Sequence, residues 1–108
     1  MEKNIKFEYK GETYVLEYTK RTRKQMEERG FEAAGIISFP MVVLPELFRG
    51  AFLANHKYIK RDLVDEMFDL FTNKQALVEK LAALYNAPFE AMMEDADEGN
   101  GIEWEASF

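Results

Sequence analysis

The sequence has no cysteine, one histidine, one tryptophan and only two serines, Ser38 and Ser107. Without cysteine there is neither a disulfide framework nor a thiolate metal site. A hydroxyl nucleophile would have almost no base to draw on, so the expectation is a protein that is not an enzyme. His56, beside Lys57, reads as a helix cap or surface residue, because metal sites recruit several ligands. Asp62, Asp65, Glu66 and Asp69 share a helix face, but nothing else aims oxygen there, so they read as a solvated face. Gly30 and Gly35 lack the following Lys and Ser/Thr of a phosphate loop. No metal and no cofactor is expected. Apolar runs fall well short of the roughly 18 residues a membrane helix needs. No apolar stretch follows Met1-Glu2-Lys3-Asn4, so a secretory signal is not expected and the cytoplasm is the expected location.

What is present is a core. The 108 residues are 47% apolar and 14% aromatic, enough for one packed domain. Charge is divided unevenly along the chain. Residues 1–80 hold all 14 basic residues and 13 of the 20 acids; residues 81–108 hold the other 7 acids and no base. Like-charged blocks stay solvated and often act as interaction tails. The expected organisation is a compact domain over 1–94 and an acidic tail over 95–108.

The order of elements reads as α+β. Ile5, Phe7 and Tyr9, then Tyr14, Leu16 and Tyr18, alternate with polar residues on either side of Lys10-Gly11-Glu12, which predicts a hairpin over 4–18. A helix over about 20–29 is predicted, with Thr22 and Gln25 as a capping box and Gly30 as its left-handed stop. Apart from Met26 it has little apolar face, so it should ride on the surface. Ile36 and Ile37 give the following connection some strand character. A helix over about 40–55 starts at Pro40 and is apolar on nearly every side, which predicts a central position. Pro45 should bend it or start it, and Gly50 should admit a close neighbour. A helix over about 60–71 buries Leu63, Val64, Met67, Phe68 and Phe71. Another, over about 73–93, opens with a Thr72/Gln75 capping box, buries Leu77, Val78, Leu81, Leu84 and Tyr85, and meets Pro88.

Two features point to interaction. Lys20, Arg21, Arg23 and Lys24 crowd a helix N-terminus, where cations oppose the macrodipole by about 0.3–1 kcal/mol each. With Tyr14 and Tyr18 nearby they could hold nucleic acid, although Glu27, Glu28 and a sequence pI near 4.8 argue against it. In the tail, Ile102, Trp104 and Phe108 are the only large apolar residues among acids. At even spacing, they form one side of an extended strand that could dock on a partner or fold back on its own domain.

The chain also resembles a known family. The hairpin with Lys10-Gly11-Glu12-Thr13-Tyr14 is followed by Met26-Glu27-Glu28-Arg29-Gly30-Phe31. Then come Leu44-Pro45-Glu46-Leu47-Phe48-Arg49-Gly50-Ala51-Phe52 and Asn55-His56-Lys57. Leu63-Val64-Asp65-Glu66-Met67, Leu81 with Leu84-Tyr85, and Gly101-Ile102-Glu103-Trp104-Glu105 complete the order. Together these look like the small tail assembly chaperones of phages and prophages with long non-contractile tails. The resemblance spans nearly the whole chain and rests on order and apolar pattern. It implies a non-enzymatic protein of the host cytoplasm that binds the tape measure protein and helps tail tube subunits assemble around it. Two other functions compete with it: a small nucleic-acid-binding regulator using the basic helix, and a minor structural subunit of a virion.

Overall fold

A computed structural model describes residues 4–97 and 99–107. The chain is α+β: an antiparallel hairpin, β1 (Ile5–Tyr9) and β2 (Glu12–Leu16), precedes the helices. These are α1 (Lys20–Glu28), α2 (Gly35–Ser38), α3 (Pro40–Gly50), α4 (Arg61–Leu70) and α5 (Lys74–Met92). Lys10 and Gly11 both have positive φ, 50° and 81°, as the two-residue turn with right-handed strand twist requires. Tyr9 therefore faces Glu12, Phe7 faces Tyr14 and Ile5 faces Leu16. Ile5, Phe7, Tyr9, Tyr14 and Leu16 share one face, opposite Val15.

That face meets α3 and the turns after it. Phe48 and Phe52 lie at the centre of the core with Leu16, Leu47, Met67 and Leu81. Their rings pack edge to face 5.1 Å apart, and Phe7, Tyr14, Phe68 and Phe71 surround them. Edge-to-face contacts add about 0.5–1.5 kcal/mol each beyond the area they bury.

A two-stranded sheet is marginal alone, because both of its outer edges lack partners. Here the chain leaving α3 closes the outer edge of β2. Glu17 N–H donates to the Ala51 carbonyl (3.1 Å), and Val15 N–H donates to His56 Nε2 (3.0 Å). Asn55 Nδ2 donates to the Val15 carbonyl and to Glu17 Oε1. Buried Tyr18 donates to the Leu47 carbonyl at 2.6 Å, taking one of the last carbonyls that α3 cannot use itself. Burial, with Tyr85 beside it, pushes that hydroxyl far above the usual phenol value, so it stays a donor. His56 is thus half-buried against Tyr14 and Phe52 and accepts a strand N–H. It is neither the helix cap nor the surface residue expected from sequence.

Several local expectations change in the same way. The capping box of α1 is Thr19 with Thr22, three residues earlier than Thr22 with Gln25: each hydroxyl accepts the other's N–H, at 3.1 and 2.9 Å. Gly30, at φ 93°, ends the helix as expected, with Phe31 N–H returning to the Met26 carbonyl and Gly30 N–H to that of Glu27. Ile36 and Ile37 form the short helix α2 rather than a strand, since Phe39 N–H closes on the Gly35 carbonyl. No Thr72 box opens α5. Asn73 takes a left-handed conformation, and Lys74 Nζ instead caps α4 through the carbonyls of Asp69 and Phe71. α3 ends at Gly50, short of the expected Asn55, and the chain goes on in turns. Both Pro45 and Pro88 lie inside continuous helices.

Helix α1 does not simply ride on the surface. Thr22 and Met26 are buried, and a Cβ added to Gly50 would collide with the Met26 side chain. Gly50 therefore admits the close approach expected of it. The acidic face of α4 is not merely solvated either. Arg49 of α3 holds Asp65 through two bonds, 2.9 and 2.7 Å, and Glu66 accepts from Tyr9. Arg49 also takes Glu46, which Arg61 shares.

Phe48→Ala should cost about 3–5 kcal/mol in chemical denaturation, whereas Asp69→Ala should stay within about 0.5. Phe68, only partly buried, should fall between them. The Arg49 guanidinium holds the Asp65 carboxyl below the usual carboxylate range. The stability it adds is present above that range and lost as pH falls through the lowered value. Both partners are partly exposed, so the contribution should be below about 1 kcal/mol. Asp65→Asn should remove it, which thermal midpoints measured down an acid series would show.

Candidate functional site

Among the described residues no three His, Asp or Glu side chains come close enough to hold a metal ion. No described helix is long and apolar enough to cross a membrane. What the fold does build is three surfaces: an apolar face, a cationic cleft and a free acidic tail.

The apolar face begins where α2 hands over to α3. Ile37 is 92% exposed and Met41 88%, with Phe39 and Val42 also open to solvent. The sequence expectation put this helix at the centre of the domain. Only one side of it is there: Val43, Leu47 and Phe48 are buried while Met41 and Val42 point outward. Helices apolar all round are buried either in their own core or against something else. Val42 also lines a groove of about 350 Å³ with Met26, Phe31, Val43 and Leu53, so the exposed face continues into a concave one. Pro45 supports this arrangement, since the carbonyl it leaves without a helical donor belongs to exposed Met41, where water can bond it. Sequence reasoning missed this site, although apolar residues on every side of a short helix were its visible signal.

The four cations of α1 divide. Arg23 turns inward: its guanidinium lies 4.3 Å from the Tyr85 ring, and Nη1 donates to the Tyr85 carbonyl at 3.0 Å. Its Nε reaches Glu27, one turn on. This is a packing role within the fold, set beside the partner-binding role expected of Arg23 from sequence. Lys20, Arg21 and Lys24 are exposed.

Arg21 faces a cleft of about 950 Å³ between α1 and the turns 51–59. Arg29 and Lys57 join it there, with His56, buried Tyr14 and exposed Tyr58. The lining contains no carboxylate. Among the described residues Arg21, Arg29 and Lys57 have no carboxylate at ion-pair distance. Because His56 Nε2 accepts from Val15, the proton of the neutral ring is on Nδ1, adding another donor. Arg29 and Lys57 were not expected from sequence, because 28 residues separate them along the chain.

Every described residue from Met92 to Ser107 is exposed, with Ile102 94% and Trp104 81% open. Phe108, the third apolar residue predicted to meet a partner, lies outside the described residues.

All of residues 1–108 match the family described as Domain of unknown function (DUF5055). The chain belongs to that family. No curated protein and no solved structure matches it. The family description names no activity, so function has to be read from these surfaces.

Arg23→Ala should lower stability by about 1–2 kcal/mol, because it leaves a charge-assisted bond and an aromatic contact unmade. Lys20→Ala and Lys24→Ala should change it by less than about 0.5. Urea midpoints of the three variants make the comparison.

Proposed function

We propose that this protein is a tail assembly chaperone: a non-enzymatic binder that holds an apolar helical client, the tape measure protein, and assists tail tube subunits in assembling around it. The observation that carries the reading is the exposed face Ile37, Phe39, Met41 and Val42 with its adjoining groove. Four large apolar side chains within six residues, all open to solvent, lose free energy in water that a client's apolar stripe would recover. A helix laid across such a face would anchor at positions three and four apart. The resemblance of the chain's element order and apolar pattern to tail assembly chaperones supports the same partner, and the host cytoplasm would be its location.

The test is a pull-down from cells expressing the neighbouring open reading frames, with bound proteins identified by mass. The tape measure protein should co-purify. Ile37→Asp with Met41→Asp should weaken its retention by about 10–100-fold, or roughly 1.4–2.8 kcal/mol, with the melting temperature held within a few degrees. Salt-sensitive retention of DNA in place of a protein would favour the nucleic-acid regulator, and recovery of the chain in purified particles would favour a structural subunit.

A further inference from the structure

We infer that the cleft between α1 and the turns 51–59 is a binding site for an acidic, tryptophan-bearing extended segment, and that its occupant is this chain's own Gly101-Ile102-Glu103-Trp104-Glu105. The inference goes beyond the client-binding reading, since it concerns a different surface and a different ligand chemistry.

The cleft has two unlike walls. On the α1 wall, Arg21, Gln25 and Arg29 recur every four residues, so they share one helix face, and both arginines lack an ion-pair partner among the described residues. The opposite wall is formed by Leu53, Ile59 and exposed Tyr58, with Lys57 beside the tyrosine ring. The charged groups of the two walls together are all cationic, two guanidiniums and an ammonium, with the Nδ1–H of His56 beside them. Donors without acceptors call for carboxylates.

The tail has two matching faces. In an extended strand successive side chains alternate, so Ile102 and Trp104 lie on one side and Glu103 and Glu105 on the other. Laid in the cleft, the acids face α1 while Trp104 lies against Tyr58, a flat, exposed ring with the Lys57 ammonium over it. Charge complementarity is strong. The last 28 residues hold 7 acids and no base, and the cleft lining holds bases and no acid.

The chain can make the connection. Phe89, near the end of α5, already lies 5.6 Å from the Arg23 guanidinium on the other side of α1. The eight residues 94–101 span up to about 27 Å when extended, more than twice the roughly 10–12 Å width of a helix. A linker of that length holds the segment at an effective concentration of order millimolar. Its own tail therefore outcompetes the tail of a second copy in dilute solution. The structure records the undocked arrangement, with Ile102 and Trp104 in solvent.

Trp104 is the sole tryptophan, so its fluorescence reads docking directly in the full-length protein. At low salt its emission should lie to the blue of a free tryptophan. It should move to the solvent value as salt shortens the screening length below about 8 Å. Arg21→Glu with Arg29→Glu should give solvent-like emission at every salt concentration, with circular dichroism unchanged. Adding Glu103→Lys and Glu105→Lys to that variant should restore the blue shift. Lys57→Glu, outside α1, should weaken docking in the same direction and guards against a folding defect in the helix variants. Solvent-like emission at low salt in the unmodified chain overturns the inference, as does a blue shift indifferent to charge reversal. A blue shift that grows with protein concentration assigns the cleft to a second copy, which also overturns it. So does a duplex oligonucleotide that binds the cleft more tightly than a synthetic Gly-Ile-Glu-Trp-Glu peptide at the same salt.

Discussion

The outer edge of β2 is the constraint on which the rest of this structure depends. A lone hairpin leaves a row of backbone donors and acceptors open on each side, and among the described residues there is no third strand to take them. The turns after α3 do so instead, with one backbone carbonyl, one amide side chain and one imidazole. The same segment carries Phe52 into the core, so closing the strand edge and closing the aromatic cluster are one event. Tyr18 completes the junction from the other direction by taking a carbonyl at the end of α3. Helix α3 must therefore end before Asn55, whose N–H would otherwise take the Ala51 carbonyl from Glu17.

The basic residues show how context divides a single side-chain type. Arg23 and Arg49 bind the fold together, one on the aromatic face of α5 and the other on Asp65 of α4. Arg21, two residues from Arg23, points the opposite way, because two helical steps rotate a side chain by about 200°. Neutralised cations make a framework. Unneutralised ones, gathered in one cleft, make a surface that selects its ligand by charge. The distinction is electrostatic and cannot be made from the count of basic residues.

The two proposed surfaces call for opposite partners. The face from Ile37 to Val42 is apolar and suits a helix with an apolar stripe, where burial supplies the free energy. The cleft is cationic and suits carboxylates, so its occupancy falls as salt rises. A binding protein with both can hold its client in one place while its own tail occupies the other, and the acids of the tail then no longer meet solvent as an unpaired block.

Much of the secondary structure was legible in the sequence, because alternation and 3.6-residue spacing are local physical signals. The hairpin, the stop at Gly30, the buried stripe of α4 with Val64 and Met67, and the stripe of α5 with Leu77, Leu81, Leu84 and Tyr85 all follow from them, while the register came from a turn one residue shorter than expected. The acidic tail was equally plain from charge alone. Tertiary structure decided the rest. It moved the cap of α1 from Thr22 to Thr19 and replaced the Thr72 cap of α5 with a lysine serving the preceding helix, since capping depends on which hydroxyl or ammonium reaches the free backbone groups. It turned His56 into a strand partner 41 residues away and turned Arg23 inward onto a ring 62 residues away. It also exposed half of a helix whose composition predicted burial. Local sequence fixes periodicity and conformation, but exposure and hydrogen-bond partnership are set by whatever distant part of the chain arrives alongside, and no local pattern records that.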